Sequence, residues 1–382
     1  MKLIFAPDSF KGSLTASEVC DILETAAKRH FPGAKLLSVP VADGGEGTVD
    51  ALLRSMGGHT VETEVTGPLF EKETARFGLT ADGRTAILEM AQASGLPYVP
   101  EGERDPRNTT SLGTGEMLAQ ALRMGARKIL LGIGGSATND CGIGMLTALG
   151  AVFTDAQGNQ VPPVGGNLEK VRRADLSGLL PALRETEITV ICDVTNPLLG
   201  ENGATYVYGP QKGATESIRD ELERGMTHFA SLVRQTHGRD IASFPGAGAA
   251  GGLGAALGGI LGAALRSGID AVLDAAGFDE KLEGASLVVT GEGRMDAQSV
   301  RFGKVPAGVA RRCAARGIPV LALVGGMGKG AEELFDLCES TVMPIVSGPM
   351  PLEEAMINAR TLCESAADRL FRAVRIGMGL KR

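Results

Sequence analysis

Lys2-Leu3-Ile4-Phe5-Ala6-Pro7-Asp8-Ser9-Phe10-Lys11-Gly12-Ser13-Leu14-Thr15-Ala16-Ser17-Glu18-Val19 joins an apolar run, a polar loop and a helix start. Residues 2–8 read as a buried strand, because the run is short, continuous and closed by turn residues. Thr15, with Glu18 three places on, spells a capping box, and the helix it opens carries Val19, Ile22, Leu23, Ala26 and Ala27 on one face. Pro32-Gly33 ends that helix. Residues 35–41 form a second strand, which runs into Ala42-Asp43-Gly44-Gly45-Glu46-Gly47-Thr48. Strand, helix and strand of this length make a right-handed parallel unit, with ligand groups expected at the carboxyl ends of the strands. Asp8, Ser9, Lys11, Asp43 and Glu46 fall there.

At the far end of the chain the same pattern returns, with apolar runs at 287–290, 319–324 and 342–346 separated by helical stretches. Three strands here and two at the start predict a five-stranded parallel sheet in an α/β domain built from both chain ends, residues 1–58 and 270–382. The intervening residues 59–269 read differently. Segments 59–65, 74–79 and 85–90 alternate, with Asp82-Gly83 as a hairpin turn. A helix bearing Met117, Leu118, Ala121 and Leu122 follows, then strands at 128–133 and 188–192. This predicts an inserted mixed-sheet domain, with the active site in a cleft between the two domains.

Composition narrows the partner. A chain of 382 residues is long enough for two cores. With 12 Phe, 3 Tyr and no Trp it lacks stacking platforms for single-stranded nucleic acid, and a net charge of −7 without basic clusters argues against any nucleic acid. The six cysteines form no CxxC pair and no metal-site spacing, so they read as reduced thiols in a cytoplasm. The N-terminal apolar run is too short for a signal peptide. No charge interrupts 241–265, but its Gly and Ala content, with Leu253, Leu257, Ile260, Leu261 and Leu265 on one stripe, predicts a buried helix and no membrane span. The expected partner is a small molecule, and the protein a monomer or homodimer.

Four loops could carry chemistry. Gly132-Ile133-Gly134-Gly135-Ser136-Ala137-Thr138-Asn139-Asp140 follows a strand and precedes a helix at about 139–149, an arrangement that suits phosphate. A tight turn without ligand fits the same residues. So does a dinucleotide fingerprint, Gly132-x-Gly134-x-x-Ala137 with Asp155 as the ribose acid, which would make the protein an NAD-dependent dehydrogenase. Asp193-Val194-Thr195-Asn196-Pro197 places a rigid acid after a strand, next to a substrate hydroxyl or a magnesium ion, or else closes an Asx turn. Gly209-Pro210-Gln211-Lys212-Gly213 offers an ammonium to phosphate. Gly291-Glu292-Gly293-Arg294-Met295-Asp296 combines a guanidinium fork with two acids able to hold a metal, although the charges could simply pair with one another. No Walker A sequence is present.

Read together, APDSFKGSLTASEV, VPVADGGEGTVDALL, TTSLGTGEM, GIGGSATNDCGIGML, CDVTNPLLGENGA, GPQKGA, PGAGAAGGLGAAL and TGEGRMDAQSVRFGKVP make the chain resemble bacterial glycerate kinases that phosphorylate the 2-hydroxyl of D-glycerate. Val300-Arg301-Phe302 departs mildly from that pattern, where a polar residue and often His is expected. The resemblance implies a flavodoxin-like parallel-sheet domain and an inserted domain similar to a restriction-endonuclease core. It also implies transfer from ATP, with Mg2+, to give 2-phosphoglycerate. For that reaction the chemistry assigns Asp193 as base or principal magnesium ligand, with Glu292 and Asp296 as further metal ligands. Lys11 and Arg294 would hold the glycerate carboxylate, assisted by Asp8, Ser9, Asp43 and Asn196. Gly134, Gly135, Ser136, Thr138, Asn139 and Lys212 would hold the nucleotide phosphates. A non-catalytic small-molecule binding protein of the same fold is the remaining alternative.

Overall fold

A computed structural model describes residues 1–42, 44, 45 and 47–380; Asp43 and Glu46, both expected near a ligand, lie outside the described residues. The chain forms two compact units, one made of Met1–Gly57 and Ile269–Arg382, the other of Gly58–Gly268. In chain order the strands are β1 (Lys2–Pro7), β2 (Lys35–Ser38), β3 (Gly58–Thr66), β4 (Lys72–Thr80), β5 (Thr85–Glu89), β6 (Lys128–Gly132), β7 (Val152–Thr154), β8 (Arg173–Asp175), β9 (Glu187–Ile191), β10 (Ala264–Arg266), β11 (Leu287–Gly291), β12 (Arg294–Met295), β13 (Val320–Val324), β14 (Gly326–Met327) and β15 (Ser340–Pro344).

The first unit holds a five-stranded, all-parallel sheet in the order β15-β13-β11-β1-β2. Counted within the unit this is the doubly wound order 2-1-3-4-5, whose switch point falls between β1 and β11. A sheet covered on both faces needs apolar residues at every position, and Leu3, Ile4, Phe5 and Ala6 of β1 are all fully buried. The helix Ala16–His30 begins with the capping box, Thr15 Oγ1 accepting from Glu18 N and Glu18 Oε2 accepting from Thr15 N. Its apolar face packs on the sheet together with the terminal helix Ala359–Leu380, where Phe371 meets Phe5 edge to face at 6.1 Å.

The second unit holds a mixed six-stranded sheet, β10-β9-β6-β5-β4-β3. The strands β3, β4 and β5 pair antiparallel, whereas β5, β6, β9 and β10 run parallel. Two expectations fail here. The strand β7 does not join β6; it pairs with β8 in a separate two-stranded ribbon. Asp155 just after it accepts from Gln157 N and Asn159 N, closing its own turn. A dinucleotide fold needs the second strand parallel and beside the first, so the Gly132-x-Gly134 fingerprint does not describe this unit. Nor is 241–265 one helix. The backbone turns left-handed at Ala250, Gly251 and Gly252, then makes a π-helical turn over Ala256–Ile260 and ends in β10. Leu253, Leu257 and Ile260 are nevertheless buried, because the break redirects the segment without exposing its apolar side.

Candidate active site

In the first unit the loops that follow β1 and β11 meet where the doubly wound fold places ligands. They border a cavity of about 680 Å3, which also reaches Lys304, Gly325-Gly326 and the segment after β15. Asp8 and Glu292 lie at its base, each only 6% exposed. Ser9 N donates to Asp8 Oδ1 at 2.6 Å, so the residue after the strand orients that carboxylate. Burial pushes the Glu292 carboxyl up to about 7, and the charges of Asp8 and Asp296 add to the rise; Ser299 and Lys304 pull against it. Among the described residues Glu292 Oε1 has no hydrogen-bond partner. A buried carboxylate oxygen left unpaired in a cavity costs the fold stability, which marks it as a group kept for a ligand. Lys11, Arg294 and Lys304 border the same cavity and are exposed.

Gly293 and Gly325 let these loops approach. A Cβ on Gly325 would stand 2.3 Å from the Gly293 carbonyl oxygen, and one on Gly293 would stand 3.2 Å from Phe10 Cα. Asp296 shapes the loop itself. Its Oδ1 accepts from Gln298 N and Ser299 N and caps the helix Ala297–Arg301. Among the described residues no group of three or more His, Cys, Asp or Glu gathers to hold a metal. Magnesium bound with a nucleotide needs only one or two carboxylates, water and phosphate filling the rest. Glu292, with its unpartnered oxygen, and Asp8 fit that requirement.

In the second unit the loop after β6 is built from below. Gly134 and Gly135 form an exposed tip, Gly135 at φ +74°, and their carbonyl and amide neighbours tie the loop to residues 94–96. The expected helix at 139–149 shortens to Ile143–Ala148, so it does not start directly after the glycine turn. Thr138, Asn139 and Lys212, expected to touch phosphate, are buried beneath it. The Lys212 ammonium donates to Ser136 Oγ and to the Thr138 carbonyl oxygen, both at 2.7 Å. Full burial lowers its pKa to about 7, with Asp140 opposing. Lys212 therefore fixes the loop from inside. Asp140, also fully buried, accepts from Ser111 N and Oγ and from Gly142 and Gly144 N. A glycine-rich layer makes room: a Cβ on Gly251, at φ +64°, would lie 2.0 Å from the Thr138 oxygen.

Also in this unit, Asp193 follows β9 and is exposed, its Oδ1 accepting from Gly268 N at 2.7 Å. Asn196 is occupied with its own loop, donating to the Asn202 carbonyl oxygen and accepting from Tyr208 OH. Sequence reading missed Lys304 and the apolar cavity wall around Met350. The strand at 342–346 followed by Gly348-Pro349-Met350-Pro351 was the available signal, since a proline-braced loop after a parallel strand sits at the ligand end of the sheet.

The fold and the charged cavity at its strand ends define a doubly wound α/β enzyme with an inserted mixed-sheet domain. The profile of the glycerate kinase family matches residues 3–375, and the chain belongs to that family. It is 46% identical to the glycerate 2-kinase of Escherichia coli K12 over 99% of both chains, and 45% identical to the glycerate kinase of Bacillus subtilis 168 over 98% of both. A crystal structure of a Salmonella typhimurium LT2 protein assigned as glycerate kinase 2 superposes with a TM-score of 0.92, at 44% identity and 99% coverage of each chain. The chain is thus a kinase of this family, and among its described residues no helix is long and apolar enough to cross a membrane.

Proposed function

We propose that the protein transfers the terminal phosphoryl group of ATP to the 2-hydroxyl of D-glycerate, giving 2-phospho-D-glycerate and ADP. The observation that carries this reading is the buried Asp8 and Glu292 pair, with Glu292 Oε1 unpartnered, set among Lys11, Arg294 and Lys304 at the ends of β1 and β11. Phosphoryl transfer asks a protein mainly for positioning and for neutralising charge, and acids beside cations in one cavity serve both needs. The relatives named for glycerate kinase and glycerate 2-kinase supply the acceptor and the hydroxyl.

Arg294 presents a planar fork to the glycerate carboxylate and Lys11 adds a second positive charge. Asp193, oriented by the Gly268 N–H, takes the proton of the attacking hydroxyl. The Gly134–Ser136 turn offers backbone N–H groups to phosphate, held in shape by Lys212 from below. Glu292 and Asp8 would hold the magnesium ion, which supplies charge neutralisation and alignment of the phosphates when bound. The test is ADP release across a panel of small hydroxy acids, with and without Mg2+, followed by identification of the phosphorylated position. D-glycerate as best acceptor with phosphate on the 2-oxygen supports the reading; a different acceptor or the 3-oxygen overturns it.

A further inference from the structure

The cavity of the first unit has two unlike ends. Lys11, Arg294 and Lys304 with Asp8 and Glu292 make one end charged, while the segment after β15 makes the other apolar. There Ile345 is buried, Val346 and Met350 are half-buried, and Met327 and Met356 turn exposed thioethers toward the same space. Glycerate, with a carboxylate and two hydroxyls on three carbons, has no apolar face to lay on such a wall. Its needs are met at the charged end, and a volume of about 680 Å3 is well beyond them. Of the two reactants only the nucleotide combines polyanion with a flat, weakly polar ring. Thioethers suit that ring, because sulfur is polarizable and methionine adapts its shape to the surface it covers.

The wall is also held in place before any ligand arrives. Pro349 and Pro351 flank Met350, and Pro351 stands at the start of the helix Leu352–Ile357, which carries Met356. Fixed φ angles on both sides of Met350 reduce the ordering cost of binding. From these features we infer that the methionine wall of residues 345–356, with Met327 opposite, is the subsite for the purine base of the nucleotide. This rests on the kinase reading above and adds where the base lies.

Two experiments test it on the full-length protein. In the first, wild-type protein is photolysed with 8-azido-ATP, digested and mapped by mass spectrometry. Label on peptides covering 327 or 345–356 is expected, and label confined to peptides from 58–268 overturns the assignment. In the second, Met350→Asp sets an unpaired charge against the ring and is expected to raise KM for ATP about tenfold or more, with KM for glycerate changed less than about twofold. Retained circular dichroism shows that the variant folds, and the photolabelling result stands without it. A rise in KM for glycerate alone, or no change in either constant, overturns the inference. Failure of the proposed function looks different, since it shows in wild-type protein, as no ADP released with glycerate or as phosphate on the 3-oxygen.

Discussion

Replacing Glu292 by Gln tests how the cavity is built, because the change keeps shape and removes only the ionisation. Burial first, and the neighbouring Asp8 and Asp296 charges second, raise this carboxyl from its ordinary 4.5 to about 7. The folded protein therefore holds the proton longer than the unfolded chain does. Stability from the neutral carboxyl is complete below pH 4.5 and is lost as pH rises through 7. At about 1.4 kcal/mol per pH unit the separation amounts to about 3 kcal/mol. Glutamine never ionises, so Glu292→Gln is expected to match wild type near pH 4.5 and to be about 3 kcal/mol more stable at pH 8. For a folding unit of this size that is roughly 6–12 °C in Tm. Calorimetric unfolding of both proteins at pH 5, 6, 7 and 8, in buffer with chelator, reads the difference directly. The same variant is expected to lose turnover by about a hundredfold or more, having lost the group that meets the ligand. An advantage that stays flat or reverses toward pH 8 refutes the reasoning, since it means that Lys304 or another cation already neutralises the carboxylate in the folded state.

Lys212→Met removes a buried ammonium whose pKa is lowered to about 7 from 10.5, so wild-type stability rises with pH above 7 by up to about 1.4 kcal/mol per unit while the variant's does not. Unfolding between pH 7 and 8.5 measures the slope, and equal slopes reject the assignment of Lys212 as a buried, uncompensated cation. Gly251→Ala forces a Cβ to 2.0 Å from the Thr138 oxygen at a left-handed φ and is expected to destabilise the protein by about 2–4 kcal/mol, read by urea unfolding. Asp193→Asn keeps an oxygen for the Gly268 N–H and is expected to cut kcat by about a hundredfold to ten-thousandfold with Tm unchanged; a nearly normal rate removes Asp193 from the mechanism.

What could be read in the sequence was whatever is encoded locally. The β1 run and the Thr15 and Glu18 capping box state their structure within a few residues, and both form as written. The parallel runs at 287–290 and 319–324 likewise become β11 and β13, because a strand covered on both faces is apolar throughout, while the run at 342–346 becomes the edge strand β15, shifted to Ser340–Pro344 and only partly buried. The 241–265 segment defeated the same logic. Its stripe of leucines has helical spacing, but three left-handed residues in succession leave no mark on a hydrophobic pattern. Depth is equally absent from a string of letters. Lys212, set between glycines, reads as an ammonium offered to phosphate, yet the turn Pro210–Lys212 carries it inward. Glu292 and Asp296, four residues apart in one loop, look alike on paper. The fold makes one an orphaned buried acid and the other a helix cap.

The interior strand β1 takes its neighbour β11 from 284 positions later, Leu3 standing opposite Leu287. On a ribosome adding about 5–20 residues per second, β1 waits roughly 15–60 s for that neighbour to be made. The unit from Gly58 to Gly268 has its last strand, β10, made only about 20 residues before β11. Synthesis thus runs against the spatial order. Through that interval the first strand, apolar on both sides, has only β2 and the helix Ala16–His30 to cover it, and the far side of its sheet stays open until the chain is nearly finished.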